Sequence, residues 1–536
     1  MLHFLNPLVA SKTWRVLILG VALSIPFTAV WAKTVRWTGA SDVTTWDIHS
    51  QIDNFQGGIH AAVYESLVYF NSRTMKPEPV LATGWKMVAP QQWRFTLRQG
   101  VKFHDGSNFS ADDVVFSLRR ATAKTSTVVS LASSIIKVEK VDPLTVDIWT
   151  WGSVPVLLAQ LTELRVMSKD WAKANDSLEP KDINNTAQMT ASHRQANGTG
   201  PFILKEWLPR QKITLIRNTK WWGRMEGNVT EVVYTPMPSD FRRMIALEEL
   251  SADVMMDPNL QDLYRARKDL NMRVMQGPET RTIMLGMDQF RPVLTGESTL
   301  DRNPLRDVRV RRALYQAIDM AAIHEIIMRK HSQNTGALVS PQVNGWTERV
   351  DTRLPFDPEA AKKMLAAAGL ASGFSVDFAC SAGRYVNDRE LCQAITQMWS
   401  KIGVKARLRL FDPTTYLPML QRHEASIYLL GWNVTTFDAL YTLQSLLRTP
   451  AGGSDGNYNL GRYSNPALDK LIDRAKTEAD QTVRTKLLTS ALQMASDDVA
   501  MIPLHNQMLS WVMRKEVQLT MRPDNRIDWT LVRVED

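Results

Sequence analysis

Few groupings in these 536 residues have the residue types and spacing that chemistry requires. Gly452-Gly453-Ser454-Asp455-Gly456 fits the G-x-S-x-G pattern of a nucleophile elbow. An elbow needs a buried strand before its serine and a helix after it. Thr449-Pro450-Ala451 and Asn457-Tyr458-Asn459 supply neither, so the stretch reads as a flexible loop without a catalytic serine. There is no H-E-x-x-H zinc helix and no phosphate-cradling G-x-x-x-x-G-K. The nine histidines are scattered, and His49, His60 and His104 do not fall at metal-ligand spacing on one helix face. No catalytic residue, metal site or cofactor is expected.

Two further groupings are weighed by the elements that carry them. Arg309, Arg311 and Arg312 lie opposite Leu314, Ala317 and Ile318 on a helix, which makes them a solvated face rather than a phosphate site. Cys380 ends an apolar run and Cys392 sits early in the next helix. A bridge between them and a pair of buried thiols are both open; a bridge would close a small loop worth up to about 3 kcal/mol.

The elements themselves alternate between strand and helix patterns. Phe95 and Leu97, then Val101 and Phe103, alternate with polar residues around a turn at Gln99-Gly100. Ser110 and Asp113 form a capping-box pair that opens a helix through Ala121. Phe202-Ile203-Leu204 and Ile213–Ile216 read as a hairpin bent at Pro209-Arg210-Gln211. Pro358 and Gly369 bracket another helix. Asn387 reads as the cap of a helix whose stripe is Leu391, Ala394, Ile395, Met398 and Trp399, and a strand follows from Val404 to Leu410. Helix running directly into strand marks an α/β chain.

Length rules out a single core, because cores stop growing near about 250–300 residues. A hydrophobic content of 44% and a charged content of 22% are ordinary for a soluble protein. The first 32 residues read as a secretory signal: Lys12 and Arg15, an apolar run from Val16 to Val30, and cleavage after Ala32. That run is shorter than the ~20 residues a spanning helix needs. Removing the two charges takes the net charge from +9 to 9 − 2 = +7. The remaining Lys and Arg are scattered and form no run of five, so nucleic acid is not expected as a partner.

The order of residues in FTLRQGVKFHDGSNFSADDVVFS resembles the signature of the family 5 extracellular solute-binding proteins, receptors of peptide-type ABC importers. NGTGPFILKEWLPRQKITLIRNTKWWG, NPLRDVRVRRALYQAID and FDPEAAKKMLAAAGL are similar to that family in the same order. The resemblance implies a two-lobe, type II-like α/β fold with an extra subdomain in the first lobe. Lobe one would take residues 33–280 and 502–536, and lobe two residues 281–501. It also implies a monomer in the periplasm, a small-molecule or peptide ligand, permease subunits as partners, and no enzymatic activity. A receptor for a metal chelate or haem, and an exported hydrolase, are the alternatives.

The resemblance further places a ligand-binding arginine at Arg384, where a guanidinium fork would grip a carboxylate beside a helix N-terminus. Tyr385, Trp432, Asp438 and Trp46 complete the expected ligand set. The chain departs from the peptide receptors at one position. They carry an aspartate three residues after the tryptophan, where this chain has Thr435. Either Asp438 or another acid holds the ligand's amine, or the ligand has none there.

Overall fold

The computed structural model describes residues 33–51, 54–71, 76–183, 188–294, 300–452 and 455–536. The signal segment and Ser454 lie outside the described residues. An eleven-stranded mixed sheet organises the chain. In order across it run Val404–Phe411, Phe374–Ser381, Ile427–Asn433, Met272–Met287, Ile502–Arg514, Val254–Met256, Thr34–Gly39, Glu231–Pro236, Lys212–Arg217 and Phe202–Leu208, and Ser332–Asn334 pairs with Ile502–Arg514.

The two long central strands tie the halves of the sheet together. Residues 272–278 of the first pair with 508–514 of the second, and residues 282–285 pair with 502–506. Between Pro278 and Thr282 the register shifts, so Glu279, Thr280 and Arg281 leave the ladder. An irregularity of this kind bends a strand and re-aims its side chains. Buried Glu279 accepts from Gln507 Nε2 at 2.9 Å and from Arg281 Nε at 3.0 Å. The backbone N–H of Thr280 donates to Pro523 O at 2.9 Å, which ties the C-terminal stretch to the bend.

A separate antiparallel sheet of four strands lies within residues 82–150. The helix Ala111–Ala121 packs on it, opened by the capping box of Ser110 and Asp113. Apolar residues from this region, Phe95, Leu118 and Ile148 among them, form one continuous core with Leu440, Leu443 and Leu488 far along the chain. Burial of each such side chain is worth about 1.5–3 kcal/mol.

Two details differ from the sequence reading. Val101 and Phe103 flank a single bridge, Lys102 to Asn108, rather than continuing the strand Gln92–Leu97. Asn387 stands at the start of the helix Asp388–Ser400 in a left-handed conformation, with φ 49°, and makes no side-chain cap. Its amide donates to Ile327 O at 2.7 Å. The neighbouring carboxylate of Asp388 accepts from the backbone N–H groups of Gly383, Arg384 and Tyr385, so it organises the turn instead. Cys380 and Cys392 are joined as a disulfide from strand to helix, Cα to Cα 6.5 Å.

Candidate functional site

A cavity of about 300 Å³ opens where the first long helix, the turn after it, the C-terminal stretch 522–530 and the loop after Ile427–Asn433 converge. Its volume is at the lower end of the range for small-molecule sites. The helix Asn54–Val63 ends against the loop Asn197–Pro201, with Gly200 N donating to Val63 O at 2.9 Å. A Cβ at Gly198 would stand 2.0 Å from Val63 O, so only glycine permits this approach. This close approach accounts for the GTGPF motif.

The turn after that helix carries Glu65 into the cavity wall. Glu65 O accepts from Val166 N at 2.9 Å, and Ser66 bridges to Arg165, so the two extended segments lie side by side. The Glu65 carboxyl accepts from Trp221 Nε1 at 3.1 Å and Trp222 Nε1 at 2.9 Å. Burial pushes its pKa up to about 7, against the opposing pull of the two indole N–H groups, the Thr199 hydroxyl and Arg98.

Arg165 lines the same cavity and is 8% exposed. It donates to Gly57 O at 2.8 Å and to Glu163 O at 3.4 Å. Among the described residues no carboxylate stands within ion-pairing distance of it. Burial lowers its pKa to about 10; Glu163 opposes the shift and Arg526 adds to it. The other two arginines of the wall are committed. Arg526 grips both Glu163 oxygens at 2.8 and 2.9 Å, and Arg522 grips Asp524 at 3.0 and 2.6 Å. Arg526 lies across the helix at Gly57-Gly58, where a Cβ on either glycine would come within 3.1 Å of its side chain. The wall from beyond the central strands contributes Thr435 and Phe437, and Phe437 stacks on Phe70 at 4.6 Å and 8°.

The residues expected from sequence mostly lie elsewhere. Arg384 is exposed and off the cavity wall, with Nε donating to Tyr385 Oη at 3.2 Å. Tyr385 is buried beside it, its ring 6.0 Å from the Arg281 guanidinium. Trp432 is buried against Tyr441 and Tyr458, at 5.0 and 5.3 Å, rather than on the wall. Asp438 is bound by both terminal nitrogens of Arg484, at 2.6 and 2.7 Å, by Asn344 at 3.0 Å and by Leu440 N at 3.0 Å, which leaves nothing for a ligand amine. Trp46 is fully buried against His60 and Trp207. Its neighbour Asp47 is held by Arg120 in a pair with both side chains inside the core. Burial opposes ionisation of Asp47, but the guanidinium prevails and holds its pKa well below the usual carboxylate range.

Glu65 and Arg165 were missed. The signal was charge inside an otherwise apolar run: Glu65 alone in AAVYESLVYF, and Glu163 with Arg165 in LTELRVM.

The chain belongs to the bacterial extracellular solute-binding proteins: the model of the family 5 middle region matches residues 76–454. It is similar to the dipeptide-binding protein of Escherichia coli K12, 27% identical over 485 residues that cover 85% of this chain and 86% of the relative. It is also similar to heme-binding protein A of Haemophilus influenzae Rd, 26% identical over 469 residues covering 82% and 81%. A crystal structure of a dipeptide-binding protein from Pseudoalteromonas sp. SM9913 in complex with Met-Leu superposes with TM-score 0.80 at 21% identity, covering 94% of this chain and all of that one. The fold is thus the two-lobe fold of periplasmic binding proteins. Members of this family bind and transport substrates. Among the described residues, no helix is long and apolar enough to cross a membrane.

Proposed function

We propose that this protein is the periplasmic receptor of an ABC importer and captures a small, peptide-like organic acid in the cavity between its lobes. The observation that carries the reading is Arg165, a buried guanidinium on the cavity wall that forms no ion pair among the described residues and is balanced only at longer range by Glu163, itself gripped by Arg526. A buried charge without a counter-charge costs several kcal/mol, and a ligand carboxylate supplies one. The relatives named for dipeptides and the neighbour bound to Met-Leu support a peptide-like solute.

The lobes divide near residues 280 and 502, and the bend at Glu279–Arg281 is the hinge. The signal is cleaved after Ala32, the mature protein is a monomer, and its closed form is what the permease subunits recognise. The protein is not an enzyme.

Mass spectrometry of the molecule released by denaturing the purified protein tests the ligand class, and a small carboxylic acid is expected. X-ray scattering of stripped protein should show compaction when that molecule is returned. A haem-type absorption band, or a ligand that raises the melting temperature without compaction, would overturn the reading.

A further inference from the structure

We propose that Glu65 is a specificity-determining residue that binds the ammonium group of the ligand, a role taken from the first-lobe wall because Thr435 cannot fill it from the other. The inference rests on the receptor reading above. A buried ammonium needs a counter-charge. At Thr435 the cavity wall offers only a hydroxyl, and Asp438 is locked to Arg484. Glu65 is on the wall, 7% exposed, and among the described residues no basic group stands within ion-pairing distance of it.

Each Glu65 oxygen accepts one indole N–H and the Thr199 hydroxyl also acts on the carboxyl, which leaves capacity for one further donor. The two rings fix the carboxyl in place, so binding pays little to orient it. Beside it Tyr64, on the same wall and 1% exposed, has its hydroxyl against the backbone of Asn197. The charge that acts on Glu65 is that of Arg98, which lies 4.0 Å from the centre of the Trp222 ring and donates to Val80 O. Asp528, Glu78 and Arg165 line other parts of the cavity. Asp528 accepts from Thr530, Glu78 from Asn71, and neither has a basic partner among the described residues.

Glu65 is half protonated near neutrality, so an ammonium competes there with a proton. Affinity for an amine-bearing ligand then falls about tenfold from pH 8 to pH 6. A carboxyl that only holds the two indoles in place would not produce this profile.

The test is calorimetry on stripped protein with free L-amino acids and dipeptides, each paired with its N-acetyl derivative. The expected result is at least tenfold weaker binding of the acetylated member, the stated pH profile for the free amine, and a flat profile in Glu65→Gln. The comparison of paired probes needs only the wild-type protein, so it stands even if Glu65→Gln folds poorly. Equal binding within a pair, or a pH profile unchanged in Glu65→Gln, overturns the assignment. It is also overturned if no free amine binds while scattering shows compaction on the co-purified molecule, and in that case the receptor reading survives. Absence of both binding and compaction removes both.

Discussion

The two walls of the cavity differ in kind. The wall built by the first-lobe turn, its neighbouring segment and the C-terminal stretch carries Glu65, Arg165 and Arg526 with two indoles. The wall beyond the central strands carries Thr435 and Phe437 and no charge. Both halves nevertheless hold a buried Asp–Arg pair, Asp47–Arg120 in the first and Asp438–Arg484 in the second. In the second half Asp438 is held in the core by its arginine. On the receptor reading proposed above, recognition is polarised: one wall reads charge, and the other meets it through the stacking of Phe437 on Phe70.

Breaking the second pair probes that division most severely. Arg484→Leu leaves Asp438 buried with only Asn344 and a backbone N–H, and should destabilise the protein by about 3–5 kcal/mol in urea unfolding. A loss below about 1 kcal/mol would mean that Asp438 is solvated and free for the cleft, and the contrast between the walls would fail.

The next effect concerns the charged wall. The Glu65 pKa is raised in the fold, from 4.5 to about 7, so the folded state holds the proton more tightly than the unfolded chain. Its contribution is fully present below pH 4.5 and is lost as pH rises to about 7, a change of about 3 kcal/mol. Glu65→Gln removes that slope. Denaturation of both proteins from pH 4 to pH 8 should show the variant gaining on the wild type as pH rises; parallel curves would place Glu65 in contact with water.

How much of this was legible in the sequence depends on the range of the contact. The capping box at Ser110, the hairpin around Pro209–Gln211 and the proline-led helix at Pro358 depend on neighbours a few residues apart, and each formed as read. The cavity depends on contacts between distant segments. Glu65 meets Trp221 and Trp222 across 156 and 157 residues, and Arg526 meets Glu163 across 363. No local pattern encodes such pairings. The expected site residues lie off this cavity for the same reason: whether Asp438 faces a cleft or a core is decided by Arg484, 46 residues further on.

A smaller effect separates Arg165 from the rest of its wall. Arg165→Gln keeps a donor for Gly57 O but loses the charge, and should weaken a carboxylate ligand by about 2 kcal/mol, the scale of a charge-assisted hydrogen bond. The fold should tolerate the change, because among the described residues no ion pair is broken and a buried cation is removed. A variant that binds as the wild type does would leave Arg165 as a support for the helix end alone.

The smallest expected effect is at Arg384, and it is the sharpest test of where the site lies. The family resemblance puts a carboxylate-gripping arginine there. The structure shows an exposed side chain off the cavity wall, resting on the Tyr385 hydroxyl while Asp388 holds its backbone N–H. A guanidinium in water gains little from a carboxylate, since exposed pairs are worth about 0–1 kcal/mol. Arg384→Ala should therefore change the affinity for a carboxylate ligand by less than threefold and leave the melting temperature unchanged. A loss of tenfold or more, with Arg165→Gln silent, would move the anion site to the turn after Phe374–Ser381. It would also put charge on the wall described above as neutral, and the polarity of recognition would have to be reversed.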